Sequence, residues 1–196
     1  MLNHIRPAIV MIVLFTGVLG VAYPFAVTGV AQTVFSEQAD GSLVRDKVGK
    51  VVGSALVGQN FAEPGYLHPR PSAAGDGYDA AASSGSNLGP LNPDLIARVK
   101  TDADALRADI GTAAVIPADA VTTSASGLDP HISPAYAELQ IARIASARGV
   151  GEAQVREVVE QHVEGRTFGV LGQPRVNVLL TNMALDARFS RPASEG

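Results

Sequence analysis

Asp129, His131 and Ser133 alternate with Pro130 and Pro134 in the stretch "SASGLDPHISPAYAELQIARIA". A carboxylate, an imidazole and a hydroxyl this close together are the residue types of nucleophilic catalysis or of a metal centre. Zinc, however, needs three or four converging donors, often two of them four residues apart on one helix. Asp129 and His131 are two apart in a proline-flanked loop. The remaining histidines are His4, His68 and His162. His4 precedes a long apolar run, and His162 falls on an apolar helical face, where a hydrogen-bonded core histidine is expected. That leaves His68 as the one further donor. No G-x-S-x-G, S-x-x-K, H-E-x-x-H or P-loop occurs. "SGSNLG" (84–89) sets glycines near a helix start, as an anion site would, but has no basic neighbour, so loop packing is expected. The alternative for the opening stretch is structural. Asp129 would accept bonds from turn amides, Ser133 would cap a helix, and the prolines would fix φ.

These residues must be positioned by the elements around them. The chain has 196 residues, 46% apolar and 17% charged, with a net charge of −4 and no cysteine. Disulfides, thiolate metal sites and cysteine nucleophiles are excluded, and no basic block exists to bind nucleic acid. From Pro7 to Ser36 there is no charged side chain. About 20 apolar residues suffice to span a bilayer, so a transmembrane helix is expected over 7–30. Arg6 precedes the run, and Glu37 and Asp40 are the first charges after it. The positive-inside bias predicts a cytoplasmic segment 1–6 and an extracytoplasmic domain over 37–190. A cleaved signal, with Gly29 at −3 and Ala31 at −1, is the alternative, although its apolar region would be about twice the usual length.

"GSLVRDKVGKVVGSALVGQNF" reads as a β-hairpin, with Val44 on one arm and Val51, Val52, Ala55, Leu56 and Val57 on the other. The Gly/Pro/Ser-rich stretch 62–93 is long for a loop. Its punctuation by Tyr66, His68 and Tyr78, with Phe61 just before, predicts an ordered, packed one. Asn92 and Pro93 then open a helix whose apolar stripe is Leu95, Val99, Ala103, Leu106 and Ile110, ended by Gly111. Val115, Ile116 and Val121 are expected in short strands or turns around Pro117. Ser133 and Pro134 start a second helix to about Arg148, closed by Gly149. Val155, Val158, Val159, His162 and Val163 mark a third. Val176, Leu179, Leu180, Met183 and Ala187 mark one side of a fourth. The expected architecture is α+β: one N-terminal span, then one extracytoplasmic domain of about four helices and a small sheet.

Seven ordered motifs, "YPFAVTGVAQ", "ADGSLV", "VGSALVGQNF", "YLHPRPSA", "SGSNLGPLNP", "SASGLDPHISP" and "LGQPRVNVLLTNMALD", resemble the KdpC family from about residue 23 to 187. Pro69, Gln173 and Asp40 depart from that family's usual Gly, Glu and Asn. The resemblance implies an accessory C subunit of the bacterial Kdp potassium-transporting ATPase in the inner membrane. Its partners would be a channel-like potassium-binding subunit, a P-type ATPase subunit and a small peptide subunit. ATP and K⁺ would be handled by the complex, with neither bound directly by this chain. It further implies a catalytic chaperone that raises the ATPase subunit's affinity for ATP, which an exported domain does only indirectly. Tyr66, His68, Arg70, Ser86, Asn87, Asp129, His131, Ser133, Arg175 and Asn177 become framework or partner-facing residues. Two other readings remain. One is a membrane-tethered enzyme or metal-binding domain using Asp129, His131 and His68; the other is a nucleotide-binding regulator whose domain lies inside the cell.

Overall fold

A computed structural model describes residues 4–110 and 115–189 and divides the chain into two units, 1–54 and 55–196. The first unit begins with a helical run, Ile5–Val34, long and apolar enough to cross a membrane. It comprises α1 (Ile5–Phe15), a π-helical stretch (Thr16–Ala22) and α2 (Tyr23–Val34). Pro24 has no N–H for the carbonyl one turn back, and its ring crowds that carbonyl. The wider turns just before it relieve the conflict. Apolar side chains point outward all round the run; Ile12 and Phe25 are 67% and 73% exposed. A helix apolar on every face and buried on none has the character of a lipid-facing span. A short helix α3 (Ser36–Ala39) follows, then the antiparallel hairpin β1 (Leu43–Arg45) and β2 (Val51–Ser54). Its turn is tied by Asp46, whose carboxylate accepts from the amides of Val48 and Lys50. The second strand is shorter than expected: Ala55, Leu56 and Val57 run on past its end.

The second unit is the α+β domain. Asn92 accepts from the Asp94 amide and starts α4 (Pro93–Ile110). The expected stripe is its half-buried face, and Leu106 packs on the core. Gly111, expected to end it, lies outside the described residues. The turn after Pro117 is a 3₁₀ helix (Ala118–Ala120). Next come β3 (His131–Ile132), α5 (Pro134–Leu139), α6 (Ile141–Arg148) and α7 (Glu152–Gln161). The chain finishes with β4 (Val163–Glu164), β5 (Arg175–Asn177) and α8 (Val178–Arg188). The sheet is antiparallel in the order β3-β5-β4, with His131 opposite Asn177 and Val163 opposite Val176.

Three expectations need correction. The helix from Ser133 to Arg148 is two helices, because at Gln140 the backbone tightens to a bond with Ala137, three residues back. The helix expected to carry His162 and Val163 stops at Gln161. His162 Nδ1 lies 2.8 Å from the Val158 carbonyl at that end, and Val163 belongs to a strand. In the last helix the buried side is Val178, Thr181, Asn182 and Leu185 with Leu179, while Ala187 is exposed and Val176 lies in β5. The apolar count pointed the wrong way because two of the inward residues are polar.

The core gathers Ile141, Ile144, Val155, Val158, Val159, Val176 and Leu185 around Leu67, which comes from the long loop and is 0% exposed. A loop residue at the centre of a core brings polar backbone with it. That backbone must find partners inside.

Candidate functional site

The loop around Leu67 is held by side-chain amides acting as substitute backbone. Asn182, itself buried on α8, accepts from the Leu67 amide at 2.7 Å and donates to the Leu67 carbonyl at 3.0 Å. Gln140, in the break between α5 and α6, accepts from the His68 amide at 2.7 Å and donates to its carbonyl at 3.1 Å. Each pair reproduces the two-bond exchange of an antiparallel strand without any strand being present. The break at Gln140 follows from this role. Arg143 continues the clamp by donating to Pro64 and Tyr66 carbonyls. Arg148, with a fully buried side chain, donates to the Gly65 carbonyl and to Asp186 and stacks 4.9 Å over the Tyr66 ring. The Tyr66 hydroxyl in turn donates to Asp186 at 3.0 Å.

His68 is therefore part of this strap and not of any donor cluster. Its ring lies 3.1 Å from the Glu63 carbonyl. Burial, then the nearby Arg143 cation, lowers its pKa below the ordinary 6.5. Folding thus favours neutral His68. As pH falls below 6.5 the unfolded chain takes up a proton that the folded chain resists, so stability declines until the folded pKa is passed. His68→Gln should flatten that part of the stability–pH curve, read as the urea midpoint of the purified chain between pH 7 and 5. An unchanged slope would mean that another group titrates there.

A second set of bonds joins the loop to 122–133. Arg70 donates to Asp129 at 3.0 Å and to the Thr122 and Thr123 carbonyls. Asp129 also accepts from the His131 amide at 3.0 Å, and its other close neighbour is His131 Nδ1 at 3.4 Å. Its burial alone would raise the carboxyl pKa. The His131 bonds and the Arg70 charge outweigh that and hold it below the usual carboxylate value. The Ser72 hydroxyl donates to the Gly127 carbonyl and accepts from the Ala74 and Tyr78 amides. Tyr78, itself at φ 59, donates to the Arg70 carbonyl, and burial raises its hydroxyl pKa. Ser83 donates to the Ser126 carbonyl. The two segments meet backbone to backbone: a Cβ on Gly85 would lie 3.0 Å from the Ala125 carbonyl oxygen.

Asp129, His131 and Ser133 do not form a relay. The Ser133 hydroxyl donates to Asp119 at 2.9 Å and accepts from the Tyr136 amide at 3.0 Å, and its own amide donates to Asp119. Its proton is directed away from His131, and its lone pair caps α5 as expected. Ser133→Ala should cost about 1 kcal/mol as a lost cap, measured by chemical unfolding; no loss would show the bond to be idle. Among the described residues no three His, Cys, Asp or Glu side chains group to hold a metal. Asn177, buried between β5 and α8, accepts from the Leu180 amide and donates to the Ala55 carbonyl. Arg175 is half-exposed and pairs with Glu164 at 2.8 Å. Ser86 is half-buried, and Asn87 is exposed in the left-handed region at φ 52.

Sequence reasoning did not single out Asn182, Gln140, Arg143, Arg148, Asp186 or Asp119. The available signal was a polar residue inside an apolar helical run, as in "VLLTNMAL" and "YAELQIARI". Asp129, Ser133 and His68 each bond the segments that hold these loops.

Residues 5–187 match the family described as "K+-transporting ATPase, c chain". The chain is 63% identical over its whole length to the potassium-transporting ATPase KdpC subunit of Caulobacter sp. (strain K31), covering all of both proteins. It is 59% identical to the subunit of that name from Beijerinckia indica, over 96% of each. With the Myxococcus xanthus subunit it shares 59% identity over 96% of this chain and 88% of that one. The chain belongs to the KdpC family, the c chain of K⁺-transporting ATPases.

Proposed function

We propose that this chain is a non-catalytic accessory subunit of a high-affinity, ATP-driven potassium import complex. The relatives' name as subunits of a potassium-transporting ATPase supports membership of a complex, and in this reading the partners are a channel-like, a P-type ATPase and a small peptide subunit. In this reading the span Ile5–Val34 fixes it in the bacterial inner membrane with residues 1–6 in the cytoplasm and 37–190 in the periplasm. Arg6 ahead of the span, with Glu37 and Asp40 behind it, supports that orientation. The observation that carries the accessory role is the occupation of Asp129, His131, Ser133 and His68 by structural bonds. A C-terminal alkaline phosphatase fusion should be active. A green fluorescent protein fusion exported by the same route should be dark. The reverse pair would place the domain with cytoplasmic ATP and sink this topology.

The chain raises the ATPase subunit's affinity for ATP by coupling, because it binds the nucleotide-loaded conformation of its partners more tightly than the empty one. Coupling is reciprocal. If the chain tightens ATP binding by some factor, typically about 5–150-fold in such systems, a non-hydrolysable ATP analogue must tighten this chain's binding to the other subunits by the same factor. Both affinities are measurable on the solubilised complex. A tighter nucleotide site without tighter assembly would rule the mechanism out.

A further inference from the structure

The loop from β4 to β5 ends in a feature that the fold does not need. Phe168, Val170 and Leu171 are 90%, 72% and 59% exposed, side by side at a hairpin tip. Thr167 and Leu171 pair across it, and Phe168 and Gly169 take φ 53 and φ 76. With the Val170 amide bonded to the Thr167 carbonyl, this is the I′ type of turn, which favours Asn or Gly at its first central position. A bulky aromatic there is conformationally unfavourable and also leaves an apolar ring in water.

We infer that this tip is a wedge that enters the interfacial layer of the bilayer crossed by the chain's own helix. Four observations favour lipid. The tip, 167–172, carries no charge, and the arginines at its neck are engaged, Arg166 with Gln173 and Arg175 with Glu164. The amides of Thr167, Gly169, Val170 and Leu171 all donate within the turn. Insertion therefore leaves none of them bare in hydrocarbon. The chain between Val34 and Ala55 is about 20 residues, reaching at most about 70 Å when extended. Tethering raises the effective concentration of an apolar tip at that bilayer, so weak contacts count.

The inference rests on Ile5–Val34 being a membrane span, and the test separates the two. The chain has no tryptophan, so Phe168→Trp, Leu91→Trp and Leu19→Trp each create a single reporter in the full chain. The reporters are reconstituted in phosphatidylcholine–phosphatidylglycerol vesicles with and without acyl-brominated lipid. Emission should be blue-shifted and bromine-quenched for Phe168→Trp and Leu19→Trp, and water-like for Leu91→Trp, a loop position 89% exposed. Phe168→Asn, with Val170→Trp as reporter, should keep or raise the thermal midpoint while losing the quenching. An unquenched Leu19→Trp refutes the span itself. A quenched Leu19→Trp with water-like Phe168→Trp overturns the wedge. So does a Phe168→Trp signal that becomes apolar only when co-purified partner subunits are present, which would assign the tip to a protein pocket.

Discussion

Asn182→Leu should destabilise the domain by about 2–6 kcal/mol, since it orphans the Leu67 N–H and C=O and each buried unsatisfied group costs about 1–3 kcal/mol. The two side chains share one branched heavy-atom skeleton, so no cavity opens, and both Asn182 and Leu67 are essentially inaccessible to water. The loss is therefore one of hydrogen bonding and not of a cavity. Against a typical total stability of about 5–15 kcal/mol, it is enough to unfold a marginal domain. Gln140→Leu should act in the same direction but more weakly, because His68 lies nearer the surface and water can take over its carbonyl. The two changes should not add. Both residues hold one strap, so once it is released the second loss has less to remove. Urea unfolding of the single and double variants gives the coupling, and amide exchange at Leu67 reports the strap directly. A loss below about 1 kcal/mol for Asn182→Leu, within the range of a single net hydrogen bond, would mean that solvent reaches the strap.

The elements that could be read from the sequence were those in which residue type and position agree. Asn92–Pro93 and Ser133–Pro134 start helices because a side-chain acceptor and a preset φ act within a few residues of one another. The span announces itself through thirty residues without a charge. The α8 helix was misjudged because apolarity stood in for burial. Thr181 and Asn182 point inward, Thr181 bonding the Asn177 carbonyl and Asn182 the strap more than a hundred residues away. That partner is set by tertiary contact, and no local pattern encodes it. The break at Gln140 was hidden for the same reason, since a helical repeat continues through it unchanged. Asp129 and Ser133 were expected to bond amides at a turn and a helix start, and they accept from the His131 and Tyr136 amides, but no local pattern names their side-chain partners. Those partners, Arg70 and Asp119, lie 59 and 14 residues away.

Gly127→Ala should cost about 2–5 kcal/mol, from about 1–2 for a side chain in the left-handed region and about 1–3 for overpacking. Gly127 has φ 69, and a Cβ there would lie 2.6 Å from the Ser84 carbonyl oxygen and 2.7 Å from the Ala74 nitrogen. Both are backbone atoms, so relief requires the two loop segments to part. Gly149→Ala supplies the reference, because Gly149 has φ 63 with nothing within 4 Å of its added Cβ. The excess of the first loss over the second isolates the contact between the segments; equal losses would show that the packing contributes nothing. The same pair tests the accessory role. If these loops are framework, Gly127→Ala should lower the fraction of assembled complex in step with lost stability, and the ATPase rate per assembled complex should stay near normal. His131→Ala should likewise leave that rate unchanged. A variant that assembles and melts like the parent but no longer supports turnover would show that this surface takes part in the transport cycle itself.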